Sequence, residues 1–190
     1  MKRVFIVHGW EFSPNMHWYP WLKGAMEKKG FKVAVPAMPD TDAPDITKWV
    51  ARLAKAVGTP DEDTYFVGHS IGAQTILRYL QTAKTKVGGC VFVAPWLTLT
   101  DEALPDATYR KIAKPWLTTP IKYATVRKRT RALIVLFADD DPYVSLENRT
   151  WFKEKLDATT KVFSGRGHFT ADDGITKVPE VLKAVLDMAK

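Results

Sequence analysis

Cysteine is almost missing from this 190-residue chain: Cys90 is the only one. No disulfide can form within it, and a reducing compartment is the expectation. The residue lies in the apolar run Gly89-Cys90-Val91-Phe92-Val93, the setting of a buried, inert thiol rather than a reactive one. Long hydrophobic runs are absent too. The apolar stretch behind Met1-Lys2-Arg3 is only Val4-Phe5-Ile6-Val7, too short for the core of a signal peptide, and nothing has the length of a membrane span. The expected location is therefore the cytoplasm. Internal repeats and low-complexity tracts are missing as well. Acidic residues are in the minority, 21 against 28 lysines and arginines, for a net charge of +7. That balance permits anionic partners without demanding any. The densest basic cluster, Arg127-Lys128-Arg129-Thr130-Arg131, has no interleaved aromatics and matches no nucleic-acid motif, so it reads as a solvated face and no nucleic acid is expected as a partner.

What is present is the composition of a soluble globular protein, 46% hydrophobic and 26% charged, with enough chain for a single domain over residues 1–190. Short apolar runs at 4–7, 31–35, 65–67, 90–94, 132–137 and 161–163 alternate with amphipathic stretches at 17–29, 45–57, 71–82, 146–156 and 178–189. This alternation predicts a parallel sheet with crossover helices. Strands that are apolar throughout suit a sheet covered on both faces, an α/β/α sandwich. Lys28-Lys29-Gly30 ends the first helix, while Asp45 and Pro60-Asp61 bracket the second. Residues 95–131 break the pattern, with Pro95-Trp96, Pro105, Pro115-Trp116 and Pro120 in place of a long helix. They read as a lid-like excursion between two strands, or as loops whose tryptophans cover the sheet edge.

The stretch Gly68-His69-Ser70-Ile71-Gly72 follows one apolar run and opens an amphipathic one. A Gly-x-Ser-x-Gly pentapeptide between strand and helix exposes its serine on a sharp, strained turn at the carboxyl edge of the sheet. A serine hydroxyl is a weak nucleophile unless a base takes its proton and a carboxylate orients that base. Of the four histidines, His8, His17 and His69 lie in or near the first strand, the first helix and the turn itself. His168, in the loop after the last apolar run, is the one in the right place and order. The carboxylate is expected from Asp139-Asp140-Asp141, which ends the preceding strand. Serine, aspartate and histidine in that order, each after a strand, form the arrangement of an α/β hydrolase. Two backbone N–H groups must also face the developing oxyanion. Ile71 is the candidate for one and Trp10, in the loop His8-Gly9-Trp10, for the other.

Together these residues resemble the small serine hydrolases of the YdeN and retinoblastoma-binding-protein-9 family, within the α/β hydrolase superfamily. The resemblance rests on His8-Gly9, Trp18 and Trp21, Met38-Pro39-Asp40, Gly68-His69-Ser70, Asp140-Asp141-Pro142 and Gly167-His168-Phe169, and spans nearly the whole chain. It implies a reduced fold with six strands in the order 2-1-3-4-5-6. It also implies that the carboxylate before the proline, Asp141, orients the histidine, with Asp140 as the alternative. Ser145 stands where many relatives have proline. The retinoblastoma-pocket motif Leu-x-Cys-x-Glu is absent, since Val and Phe follow Cys90, so that partnership is not expected.

The function these readings imply is hydrolysis of small esters or activated amides through an acyl-enzyme on Ser70, with no cofactor or metal. His8, Gly9, Trp96, Trp116 and Tyr143 are the residues expected to shape the substrate pocket. Peptidase, thioesterase or acyltransferase chemistry on the same residues remains an alternative. So does a binding or regulatory module with weak hydrolytic activity.

Overall fold

The strands owe their continuous apolar character to two separate cores. The computed structural model describes residues 1–190. It contains, in order, β1 (Arg3–Val7), α1 (Tyr19–Glu27), β2 (Lys32–Ala34), α2 (Ile46–Val57), β3 (Thr64–His69), α3 (Ile71–Leu80), β4 (Gly89–Val93), α4 (Ala107–Thr118), α5 (Tyr123–Arg129), β5 (Leu133–Ala138), α6 (Glu147–Leu156), β6 (Thr159–Phe163) and α7 (Pro179–Met188). All six strands are parallel, in the order β2-β1-β3-β4-β5-β6. Successive side chains of a strand point to opposite faces. Phe5, Val7, Phe66, Cys90, Phe92, Val135 and Phe137 therefore join one core with α2, α3 and α6. Val4, Ile6, Tyr65, Val67, Val91, Val93 and Leu136 join the other, with α1 and α7. The two edge strands are less covered: β2 sets exposed Lys32 beside buried Val33, and no residue of β6 is fully buried; the lysine that each carries is of the kind that discourages pairing with another sheet.

Helix boundaries follow local chemistry. The Asp45 carboxylate accepts the Lys48 N–H at 2.9 Å and starts α2. Asp106 does the same for α4 through Thr108 and Tyr109. The excursion after β4 holds two helices, α4 and α5, where the prolines pointed to loops; Pro115 lies within the last turn of α4. The basic cluster ends α5, where positive charge complements the helix dipole. There Arg127 and Arg129 donate to the carbonyls of Lys155 and Lys84. No helix is long and apolar enough to cross a membrane.

The chain leaves β1 towards β2 and returns to place β3 on the other side of β1. That reversal opens a crevice at the carboxyl ends of β1 and β3. The turn from β3 into α3 closes against it very tightly. A Cβ on Gly72 would overlap the Val7 carbonyl oxygen and lie 2.8 Å from that of His8; one on Gly68 would lie 2.7 Å from the Ala73 Cα.

A buried polar chain ties the surrounding loops together. The His168 carbonyl can only accept, so the His69 Nε2–H donates to it at 2.8 Å. Nδ1 of the neutral ring then accepts the Tyr19 O–H at 2.6 Å, and the Tyr19 oxygen accepts the Gly9 N–H at 3.3 Å. His8 has a similar structural task, its Nε2 accepting the Met38 N–H at 3.1 Å and its Nδ1–H donating to the Gly9 carbonyl. Burial is the largest cause holding the pKa of His8, His17 and His69 below the ordinary 6.5, and His69 lies well below it.

Two tests follow from this packing. Gly72→Ala should lower unfolding stability by about 3 kcal/mol through overpacking. Gly24→Ala, within α1 and with no neighbour near its Cβ, should raise it by about 0.5–1 kcal/mol. Chemical denaturation of both variants checks the opposite signs. In acid, the unfolded chain takes up protons at the three histidines that the folded chain refuses, so stability falls as pH drops below 6.5. The unfolding free energy should rise between about pH 5 and pH 7, with a slope of up to about 1.4 kcal/mol per pH unit for each ring, and then level off. In His69→Gln the slope should be shallower; an unchanged slope would remove His69 from this account.

Candidate active site

Ser70 sits between β3 and α3 with φ 53° and ψ −123°, a conformation costly for any residue with a side chain. Its N–H is held by the Val93 carbonyl of β4 at 2.9 Å. The strained residue is thus anchored to the neighbouring strand while its side chain faces the crevice. Its Oγ accepts the indole N–H of Trp96 at 3.3 Å, a contact that the sequence did not announce. Trp96 is positioned by its own carbonyl, which accepts from Gln74 Nε2 on α3 at 2.9 Å.

His168 lies in a tight loop in which Gly167 and Phe169 both have positive φ, 48° and 57°. Three elements pin that loop: His69 at the His168 carbonyl, Trp18 through an indole N–H to the Phe169 carbonyl at 3.0 Å, and Asp140. The three consecutive aspartates have three different partners. Asp139 accepts the Ser164 hydroxyl at 2.6 Å. One oxygen of Asp140 accepts the N–H groups of Arg166 and Gly167, both at 3.0 Å. Asp141 is the one that reaches the imidazole, with Oδ2 2.8 Å from His168 Nδ1. Its other oxygen accepts the Tyr143 and Val144 N–H groups at 2.9 and 3.1 Å. The Asp141 side chain is 2% exposed and that of His168 7%. A carboxylate can only accept, so in the neutral ring the proton is on Nδ1 and Nε2 keeps its lone pair.

A cleft of about 350 Å³ opens over these groups and is lined by both Ser70 and His168. Trp10, Trp96 and Tyr143 line it too, but His8, Gly9 and Trp116 do not. His8 is buried in its contact with Met38. Gly9 turns its N–H to Tyr19. Trp116 points into the core, donating to the Pro44 carbonyl at 2.9 Å and meeting Trp49 edge-on. The backbone N–H of Trp10 donates to no acceptor in the protein. Ile71 is the first residue of α3, where a helix leaves its N–H groups unpaired.

One residue that sequence reasoning missed fixes the base of the excursion. Asn148, wholly buried on α6, accepts the N–H groups of Leu97 and Thr98 at 2.6 and 3.0 Å. It donates to the carbonyls of Thr98 and Ser145 at 3.1 and 3.2 Å. Thr100 adds hydrogen bonds to the carbonyls of Pro142 and Tyr143. The stretch behind Trp96 is thereby laced to the loop that follows Asp141. No group of side chains able to hold a metal ion occurs in the structure.

Comparison with known proteins places these features in a family. The serine hydrolase family model matches residues 4–187. The hydrolase YdeN of Bacillus subtilis is 27% identical over 188 residues, covering 95% of this chain and 92% of its own. Serine hydrolase RBBP9 of Rattus norvegicus is 26% identical over 173 residues, covering 90% and 86%. The crystal structure of the B. subtilis ydeN gene product superposes with a TM-score of 0.90 at 25% identity, covering 99% of this chain and 98% of that one. The chain belongs to the serine hydrolase family.

Proposed function

We propose that the protein hydrolyses carboxylic esters, and activated amides of similar size, through an acyl-enzyme on Ser70. The observation that carries this reading is the 2.8 Å contact between His168 Nδ1 and Asp141, at a histidine that shares its cleft with the strained Ser70. With Nδ1–H given to Asp141, the Nε2 lone pair is the base. It takes the Ser70 proton as Oγ attacks the carbonyl carbon, and Asp141 stabilises the imidazolium that forms. The N–H groups of Trp10 and Ile71 receive the oxyanion, each such donor being worth about 3–4 kcal/mol at the transition state. His168 then gives its proton to the departing alkoxide. Water repeats the sequence on the acyl-enzyme and releases the acid.

Trp96 is the only hydrogen-bond partner of Ser70 Oγ in the structure, so attack requires the hydroxyl to move within reach of His168. The indole is therefore the group that holds the hydroxyl between turnovers. The whole chain acts as one catalytic domain in this reading, and residues 95–131 cap the site, contributing Trp96, Leu99, Ala103 and Tyr109 to the cleft.

Ser70→Ala should lose both fluorophosphonate labelling and cleavage of a short-chain p-nitrophenyl ester. A folded wild type that does neither would refute the proposal. Asp141→Asn should lower kcat by roughly 10⁴-fold, as expected when the orienting carboxylate can no longer fix the tautomer. Asp140→Asn keeps an acceptor for Arg166 and Gly167 and should cost about 1 kcal/mol of stability with a far smaller kinetic effect. Steady-state kinetics of the two aspartate variants, side by side, identify the orienting acid, and the reverse ranking would assign it to Asp140.

A further inference from the structure

The cleft has a charge opposite to that of the protein around it. Glu11, Glu102, Asp172 and Asp173 line it, and no lysine or arginine does, in a chain whose net charge is +7. None of the four is in an ion pair. Glu11 accepts only the Tyr109 hydroxyl, at 2.8 Å, and Asp173 accepts the N–H and hydroxyl of Thr170 at 2.9 and 2.7 Å. These donors are uncharged and leave the carboxylates' charge uncompensated. Arg110, next to Tyr109 in the chain, is turned away to Asp101.

The aromatic walls independently favour the same kind of ligand. Trp10 and Tyr109 pack with ring centroids 5.4 Å apart. Each is tethered by its polar end: the Trp10 indole N–H donates to the Asp42 carbonyl at 3.1 Å, and the Tyr109 hydroxyl donates to Glu11. Tyr143 stands edge-on to His168 with centroids 5.2 Å apart. The polar tips of Trp10 and Tyr109 are thus occupied, and with Tyr143 these rings bring three π systems, whose faces attract cations, to the lining of the cleft. A concave site lined by one sign of charge also concentrates the field inside it.

We propose that this cleft selects substrates carrying a positive charge, an ammonium or quaternary ammonium group within a few bonds of the scissile carbonyl, and discriminates against esters bearing a carboxylate. The inference rests on the reading of Ser70 as the nucleophile of a hydrolytic site. One carboxylate about 4 Å from a cation is worth about fivefold even at the dielectric of water. Several together should exceed about tenfold at low ionic strength and weaken as salt screens them.

The test compares acetylcholine with neohexyl acetate, which has the same shape with carbon in place of the quaternary nitrogen. The expected result is a kcat/KM ratio of about tenfold or more in favour of the cation, shrinking in about 0.5 M salt. In Glu102→Gln/Asp172→Asn the ratio should fall towards one, whatever the absolute rates. A wild-type ratio of one or less, with both esters cleaved, overturns the charge preference and leaves the hydrolase reading standing. Failure to cleave either ester or to react with a fluorophosphonate overturns the hydrolase reading. The charge question is then decided by binding alone, from tryptophan fluorescence of the wild type titrated with choline and with neohexanol. Tighter binding of choline supports the preference, and equal or weaker binding overturns it.

Discussion

The contact between Gly72 and the carbonyl of Val7 is the constraint from which the rest of the site follows. Only a residue without a side chain lets the start of α3 come this close to β1, and only at that distance does the turn between β3 and α3 tighten enough to force Ser70 to φ 53°. The strain persists because the surroundings hold the turn on both sides: β4 holds the Ser70 N–H, and the carbonyls of Val7 and His8 crowd Gly72. Ser70, Asp141 and His168 all follow the carboxyl ends of strands in one parallel sheet.

Much of this was legible from the sequence because it is written in short-range patterns. Continuous apolar runs signalled a sheet covered on both faces, and the two cores divide the strand residues as alternation requires. Asp45 marked a helix start that the structure places one residue later, at Ile46. The strand order is the one that the resemblance to small serine hydrolases implied. The three aspartates could not be told apart on the page, since they differ only in which way each leaves the end of β5. One meets a serine, one the backbone of the histidine loop and one the imidazole.

Other features had no local signature. Trp96 and Trp116 both follow a proline, yet one lies at the carboxyl edge of β4 and the other on a helix facing the core. Pro115, which normally ends a helix, hid α4 from a reading by periodicity. Asp106 was the available sign that a helix begins there. Asn148 was invisible for a different reason. A buried amide that satisfies four backbone groups depends on chain segments about fifty residues apart in sequence coming together, and nothing in its neighbours foretells that.

The Tyr19–His69 pair links parts of the chain that a reader would treat as independent. Its hydrogen bonds run from Gly9 to the carbonyl of His168, and each member needs the other because its donor and acceptor roles are already assigned. Loss of either leaves two buried polar groups without partners, and a joint change to two apolar residues leaves two as well, the Gly9 N–H and the His168 carbonyl, so once one member is gone the other no longer has a partner to keep it. Over evolutionary time these two positions should therefore behave as a single heritable unit, conserved together or exchanged together. A family in which one varies freely while the other does not would be built on a different internal frame.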